Sequence, residues 1–142
     1  MGVLDFFRFS FFSGRDTSGM EDQDLDFAKW VKAHQDWRAR LIAYINGSSG
    51  EALDENVVCQ DDRCELGKWI YRRGIRYYGD LPVFQKLKGQ HAEFHVSAGR
   101  VVSTFKARGP AAAKKALHSE FDLNSMRVIR GLEALERQVK ES

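Results

Sequence analysis

Two histidines four residues apart, His91 and His95, constrain this chain more than any other feature. At 3.6 residues per turn they stack on one face of a helix. The stretch around them is helically periodic, and Phe84, Leu87, Phe94, Ala98, Val101, Val102 and Phe105 share their face. That face is apolar, so both imidazoles are expected to point into a core. Buried polar rings need partners. Other inward polar groups, or a shared metal ion, must therefore meet them.

The same periodicity recurs on either side. Residues 21–46 read as a first long helix, with Glu21, Asp22, Asp24 and Asp26 at its positive end. Phe27, Trp30, Val31, His34, Trp37, Leu41, Tyr44 and Ile45 form its seam, and the run Asn46 to Gly50 stops it. His34 lies on that seam. Short helices are expected over 51–58 and 66–72, around a polar loop at 59–63, with Gly74 closing the second. A turn over Tyr77 to Asp80 leads to Pro82, which suits the first turn of a helix. A second long helix is expected over 82–107, broken by Gly109-Pro110. A third is expected over 111–140, with Leu117, Phe121, Val128, Leu132, Leu135 and Val139 as its stripe. No segment alternates as a strand would. The expected fold is all-α: an antiparallel, four-helix-bundle-like helical bundle of three long helices, with shorter ones between the first two.

A chain of 142 residues is one domain by size. A net charge of +2 gives no strong field for nucleic acid. The two cysteines, Cys59 and Cys64, accompany no secretory pattern, so reduced thiols and a cytoplasmic setting are expected. Residues 1–20 stand apart from residues 21–142. Phe6, Phe7, Phe9, Phe11 and Phe12 precede a Ser/Gly-rich linker from Ser13 to Gly19, flexible by composition. The apolar run is too short to span a bilayer. It either folds back onto the bundle or docks on a partner or a membrane surface.

Three of the four histidines fall on inward faces; His118, beside Leu117, reads as a spectator. With the thiolate of Cys64, His34, His91 and His95 make a set of three imidazoles and one sulfur, which suits tetrahedral zinc. A zinc-protease helix needs Glu directly after the first His, and Glu93 is one place late. The inverted protease motif needs Glu where Phe94 stands, and a di-iron site needs inward carboxylates that this face lacks. Four protein ligands leave no open position for water, so an enzyme is not expected. Cys59 reads as a small packed side chain, or else as a resolving thiol for Cys64. Asp61 and Asp62 read as a solvated loop. The cluster Arg72, Arg73, Arg76, Tyr77 and Tyr78 reads as solvated surface, with contact to a partner or an acidic peptide as the alternative.

In order along the chain, His34-x-x-Trp37, Cys64-x-Leu66-Gly67-x-Trp69 and His91-x-x-x-His95 resemble the chemoreceptor zinc-binding (CZB) domain family, over roughly residues 22–107. The resemblance implies a helical bundle in which His34, Cys64, His91 and His95 bind zinc. Trp37, Leu66, Gly67 and Trp69 would then be packing and turn positions around the metal. It implies a regulatory role in chemoreceptor or diguanylate cyclase pathways, and a homodimer. The stimulus it implies is zinc itself, or oxidation of zinc-bound Cys64 by hypochlorous acid. With no attached output domain in this chain, signalling is expected to act in trans on a partner protein. The alternative is a structural zinc in a protein-interaction module that senses nothing.

Overall fold

A computed structural model describes residues 25–141. The Phe-rich segment over 1–20, its boundary with the bundle, and the acidic start at Glu21, Asp22 and Asp24 lie outside the described residues.

Helix α1 spans Phe27–Asn46. Asp26 caps it by accepting the Lys29 backbone N–H at 3.1 Å, a contact worth about 1 kcal/mol. Gly47 ends it in the left-handed region at φ 74°, where a side chain would strain the backbone. Helix α2 spans only Glu55–Val58, later than expected, because the Asp54 carboxylate takes the Asn56 N–H and starts the helix there.

Helix α3 (Glu65–Trp69) runs through a π-helical turn (Ile70–Gly74) into α4 (Ile75–Tyr78). The expected stop at Gly74 is therefore wrong, as is the expected turn at Tyr77 and Tyr78. Gly74 has ordinary helical angles. A Cβ there would lie 2.8 Å from the Phe84 ring and 2.9 Å from the Trp69 ring, so the glycine serves close ring packing, not termination.

Helix α5 spans Pro82–Arg108, with Pro82 in its first turn. Gly109, at φ 90°, reverses the chain, and α6 (Pro110–Ala116) begins at once. A second π-helical turn (Leu117–Phe121) joins α6 to α7 (Asp122–Glu141). The third long helix is thus a rod with one widened turn. The extra residue resets its phase so that Leu117, Phe121, Val128, Leu132, Leu135 and Val139 all stay buried.

The α6–α7 rod folds back along α5, α7 also packs on α1, and α2 lies against α5. Phe84, Phe94, Phe121, Leu41, Leu87, Leu132 and Leu135 fill the space between them. The all-α bundle stands, and among the described residues there is no strand. No helix among them is long and apolar enough to cross a membrane.

Candidate metal centre

The inward faces of α1 and α5 carry three imidazoles into the core. His34 is 1% exposed, His91 0% and His95 3%. Cys64 joins them from the short helix α3 and is only partly buried. The four ligand-capable atoms, one from each residue, lie within 4.8 Å of one another.

His91 Nε2 sits at the centre of the group. It lies 3.1 Å from His34 Nε2, 3.2 Å from His95 Nε2 and 3.2 Å from Cys64 Sγ. Cys64 Sγ lies 4.0 Å from His34 Nε2. Zinc–ligand bonds of ordinary length give a tetrahedron with edges of about 3.3 Å between nitrogens and about 3.6 Å from nitrogen to sulfur. The three separations from His91 Nε2 are close to such edges, the Cys64–His34 distance is longer, and with all four atoms within 4.8 Å the group is a slightly open form of that tetrahedron.

The outer ring nitrogens fix which atoms face inward. His34 Nδ1–H donates to the Trp30 carbonyl at 2.7 Å, and His95 Nδ1–H donates to the Val58 carbonyl at 3.0 Å. A carbonyl has no proton to give, so both nitrogens are donors and both Nε2 atoms turn lone pairs on His91. One Nε2 proton on His91 could serve only one of them. A cation among these atoms serves all of them, and backbone support of the outer nitrogens is usual behind metal-bound histidines. His91 Nδ1 is buried without a hydrogen-bond partner, so no backbone carbonyl fixes this ring as one fixes His34 and His95. It stacks edge-on with His34 and His95 at 5.1 and 4.6 Å between centroids.

Burial keeps the imidazoles neutral. Desolvation pushes His34 down to about 4 and His91 down to about 2, and lowers His95 as well. The neighbouring histidine charges act in the same direction on His34 and His91. Burial also pushes the Cys64 thiol up, against hydrogen bonds from the backbone of Gly67 and Leu66. The imidazoles are therefore ready to bind metal at neutral pH, whereas Cys64 must lose a proton to do so.

Sulfur has a second role here. Cys64 is the N-cap of α3, and its Sγ accepts the Gly67 N–H at 3.3 Å. Gly67 lets the preceding loop lie flat on that turn: a Cβ would fall 1.8 Å from the Asp61 carbonyl oxygen. Gly67→Ala is expected to push the 60–63 loop away and cost about 2–3 kcal/mol, or roughly 5–10 °C in melting temperature. An unchanged thermal melt would show that the loop does not need this contact.

The other residues singled out by sequence fall around the four. Leu66 is 1% and Trp69 7% exposed in the core, and the half-buried Trp37 meets His95 edge-on at 6.4 Å. Asp61 accepts the Tyr71 hydroxyl hydrogen bond and raises that phenol to about 12, and its charge acts on His95 and Cys64, raising both. Cys59 donates weakly to the Asn56 carbonyl. His118 is 60% exposed and lies beside Arg38 and Asp122, away from the cluster. His118→Ala is expected to leave zinc affinity within about twofold of wild type in a chelator competition titration, as for a surface change. A large loss would put His118 in the site. Sequence reasoning missed the carbonyls of Trp30 and Val58. Every residue carries a carbonyl, so no side-chain pattern could mark these two.

Residues 34–102 match the family model of the chemoreceptor zinc-binding domain. The match spans just under half of the chain, contains all four candidate ligands, and is consistent with a protein of that family. No curated protein and no solved structure matches the chain. The family and the donor set agree on zinc as the cofactor.

Proposed function

We propose, on the premise that residues 34–102 form a chemoreceptor zinc-binding domain, that this protein is a regulatory sensor. In this reading His34, Cys64, His91 and His95 hold one zinc ion, and the state of Cys64 is signalled to a partner protein in trans. One observation carries the reading. Three ligands are rooted in long core helices, while the fourth, Cys64, is partly exposed at the start of a five-residue helix. Losing Cys64 would free α3 and the 59–63 loop while α1 and α5 stay packed. A site with one weakly rooted ligand suits switching better than pure reinforcement.

Zinc supplies a charged centre that keeps the Cys64 sulfur as thiolate at neutral pH. Against hypochlorous acid, the thiolate gives two electrons to chlorine. Cys64 gains oxygen as a sulfenic acid, and chloride leaves. The sulfenic sulfur is a poorer ligand, and Cys64 lets go. Cys59, five residues upstream, is the nearest thiol in sequence to condense with it. Cys64 can also report zinc supply directly, since it must be deprotonated to bind.

The four-ligand set leaves no position for substrate water, which favours regulation over catalysis. Two free thiols fit a reducing, cytoplasmic setting. A homodimer and an output in chemoreceptor or diguanylate cyclase pathways follow from the family resemblance. Docking by the Phe-rich sequence over residues 1–20 on a partner or a membrane surface would be compatible with the same reading.

The test follows zinc release with a chromogenic chelator while hypochlorous acid is titrated in, with circular dichroism in parallel. The expected result is one zinc released per Cys64 oxidised, with most helical signal retained. Zinc that stays until the whole chain unfolds would sink the sensor reading and leave a structural metal.

A further inference from the structure

We infer that the groove between α1 and α3 is a docking site for an acidic segment of a partner protein, opened or closed by the state of Cys64. This inference rests on the sensor reading above and names the output surface for it. The groove has a volume of about 370 Å³. Trp30 and Trp69 form its apolar floor, with ring centroids 4.9 Å apart. Cations rise from both walls. Lys29 stands on α1, Lys68 on α3, and Arg72 on the π-helical turn that follows.

Lys29 is paired with Glu65 across the groove at 3.1 Å. Lys68 and Arg72 are exposed, and among the described residues neither has an ion-pair partner. Trp69 Nε1 is a buried donor without an acceptor. Two unpaired cations above an indole floor suit a ligand that brings discrete carboxylates on an apolar backbone. A nucleic acid suits it less, because Asp26 and Glu65 at the same rim would repel a continuous run of phosphates.

The groove is coupled to the metal site through both walls. The Trp30 carbonyl holds His34 Nδ1, and α3 starts at Cys64 itself. Bound metal joins the two walls. Once Cys64 lets go, α3 is held by its buried Leu66 and Trp69, and directly across the groove the tryptophan contact and the Lys29–Glu65 pair keep the walls in register. An exposed ion pair of this kind contributes under about 1 kcal/mol.

The experiment titrates a fluorescein-labelled peptide of alternating glutamate and leucine into the zinc-loaded full chain and reads anisotropy. Lys68→Glu with Arg72→Glu should raise Kd by about tenfold or more, as two lost charge contacts would. Lys114→Glu with Lys115→Glu, exposed on α6 outside the groove, should leave Kd within about twofold. Cys64→Ser without metal should shift peptide affinity at least about fivefold if the walls part. Equal loss in both charge-reversed pairs would mean binding to net charge alone and overturn the site. Loss confined to the groove pair, with no dependence on zinc or Cys64, would overturn the coupling. Zinc release on oxidation is read without peptide, so that outcome leaves the sensor reading separately judged. A tenfold gain on neutralising Glu21, Asp22 and Asp24 would assign the groove to the chain's own acidic run instead. Tighter binding of a labelled single-stranded oligonucleotide, lost in the same groove pair, would overturn the acidic-peptide partner.

Discussion

Cys64→Ser is expected to weaken zinc binding by a hundredfold to a thousandfold while leaving the far-ultraviolet circular dichroism nearly unchanged. Structural zinc in small peptides is held by about 10–16 kcal/mol, so one ligand of four carries roughly 3–4 kcal/mol. A neutral hydroxyl replaces little of what a thiolate gives. The substitution is clean because of the second role of the sulfur. Cys64 caps α3 through the Gly67 N–H, and a serine oxygen makes that cap at least as well. The helix should therefore keep its start while the metal loses its ligand. Competition with a chelator of known affinity measures the effect. Unchanged affinity would remove Cys64 from the site, and an equal loss in Cys59→Ser would point to a general disturbance of the loop.

The second large effect is acid sensitivity of the metal-free protein. An unfolded histidine titrates near 6.5, whereas folding holds His34 down to about 4 and His91 down to about 2. Below pH 6.5 the unfolded chain binds more protons than the folded one, so stability falls as pH falls and is full above pH 6.5. At pH 5 these two histidines alone remove about 4 kcal/mol, and the lowered His95 adds to this. That is a large part of the 5–15 kcal/mol that holds a typical domain together. The stripped protein should therefore lose most of its helical signal between about pH 5.5 and 4. The ion pair of Glu51 with Arg40 fails only lower, because the hydrogen-bonded Arg40 guanidinium holds the Glu51 carboxyl below its ordinary value. With zinc bound, protons must displace the metal before they reach the imidazoles, so the midpoint should move at least one pH unit lower. Acid titrations followed at 222 nm, with and without chelator, decide this. Superimposable curves, or a stripped protein still folded at pH 4, would show that the buried rings accept charge more readily than their burial implies.

The sequence made the helices and the site legible to different depths. Spacing alone placed His91 and His95 on one face, and periodicity placed His34 on the seam of another helix, because burial there follows a repeat. Cys64 lies in an irregular stretch and stood out only through the motif around Leu66, Gly67 and Trp69. Gly74 was misread for a physical reason. A glycine that ends a helix and one that admits two aromatic rings look the same in sequence, and only the packing of Trp69 on Phe84 separates them. The π-helical turns at Ile70–Gly74 and Leu117–Phe121 were invisible for a similar reason, since they reconcile local phase with a core assembled from distant segments. The start of α2 was legible in principle, since Asp54 stands one residue before Glu55 as an N-cap should.

The distribution of the four ligands along the chain has one more consequence. His34, Cys64 and His91 are each separated by nearly thirty residues, and only His91 and His95 are close. A denatured chain could gather all four around one ion only by closing two long loops, at about 3–4 kcal/mol of lost chain entropy each. Unfolded molecules should therefore be poor competitors for the metal. Almost the whole free energy of binding should then appear as preference for the native bundle over the unfolded chain.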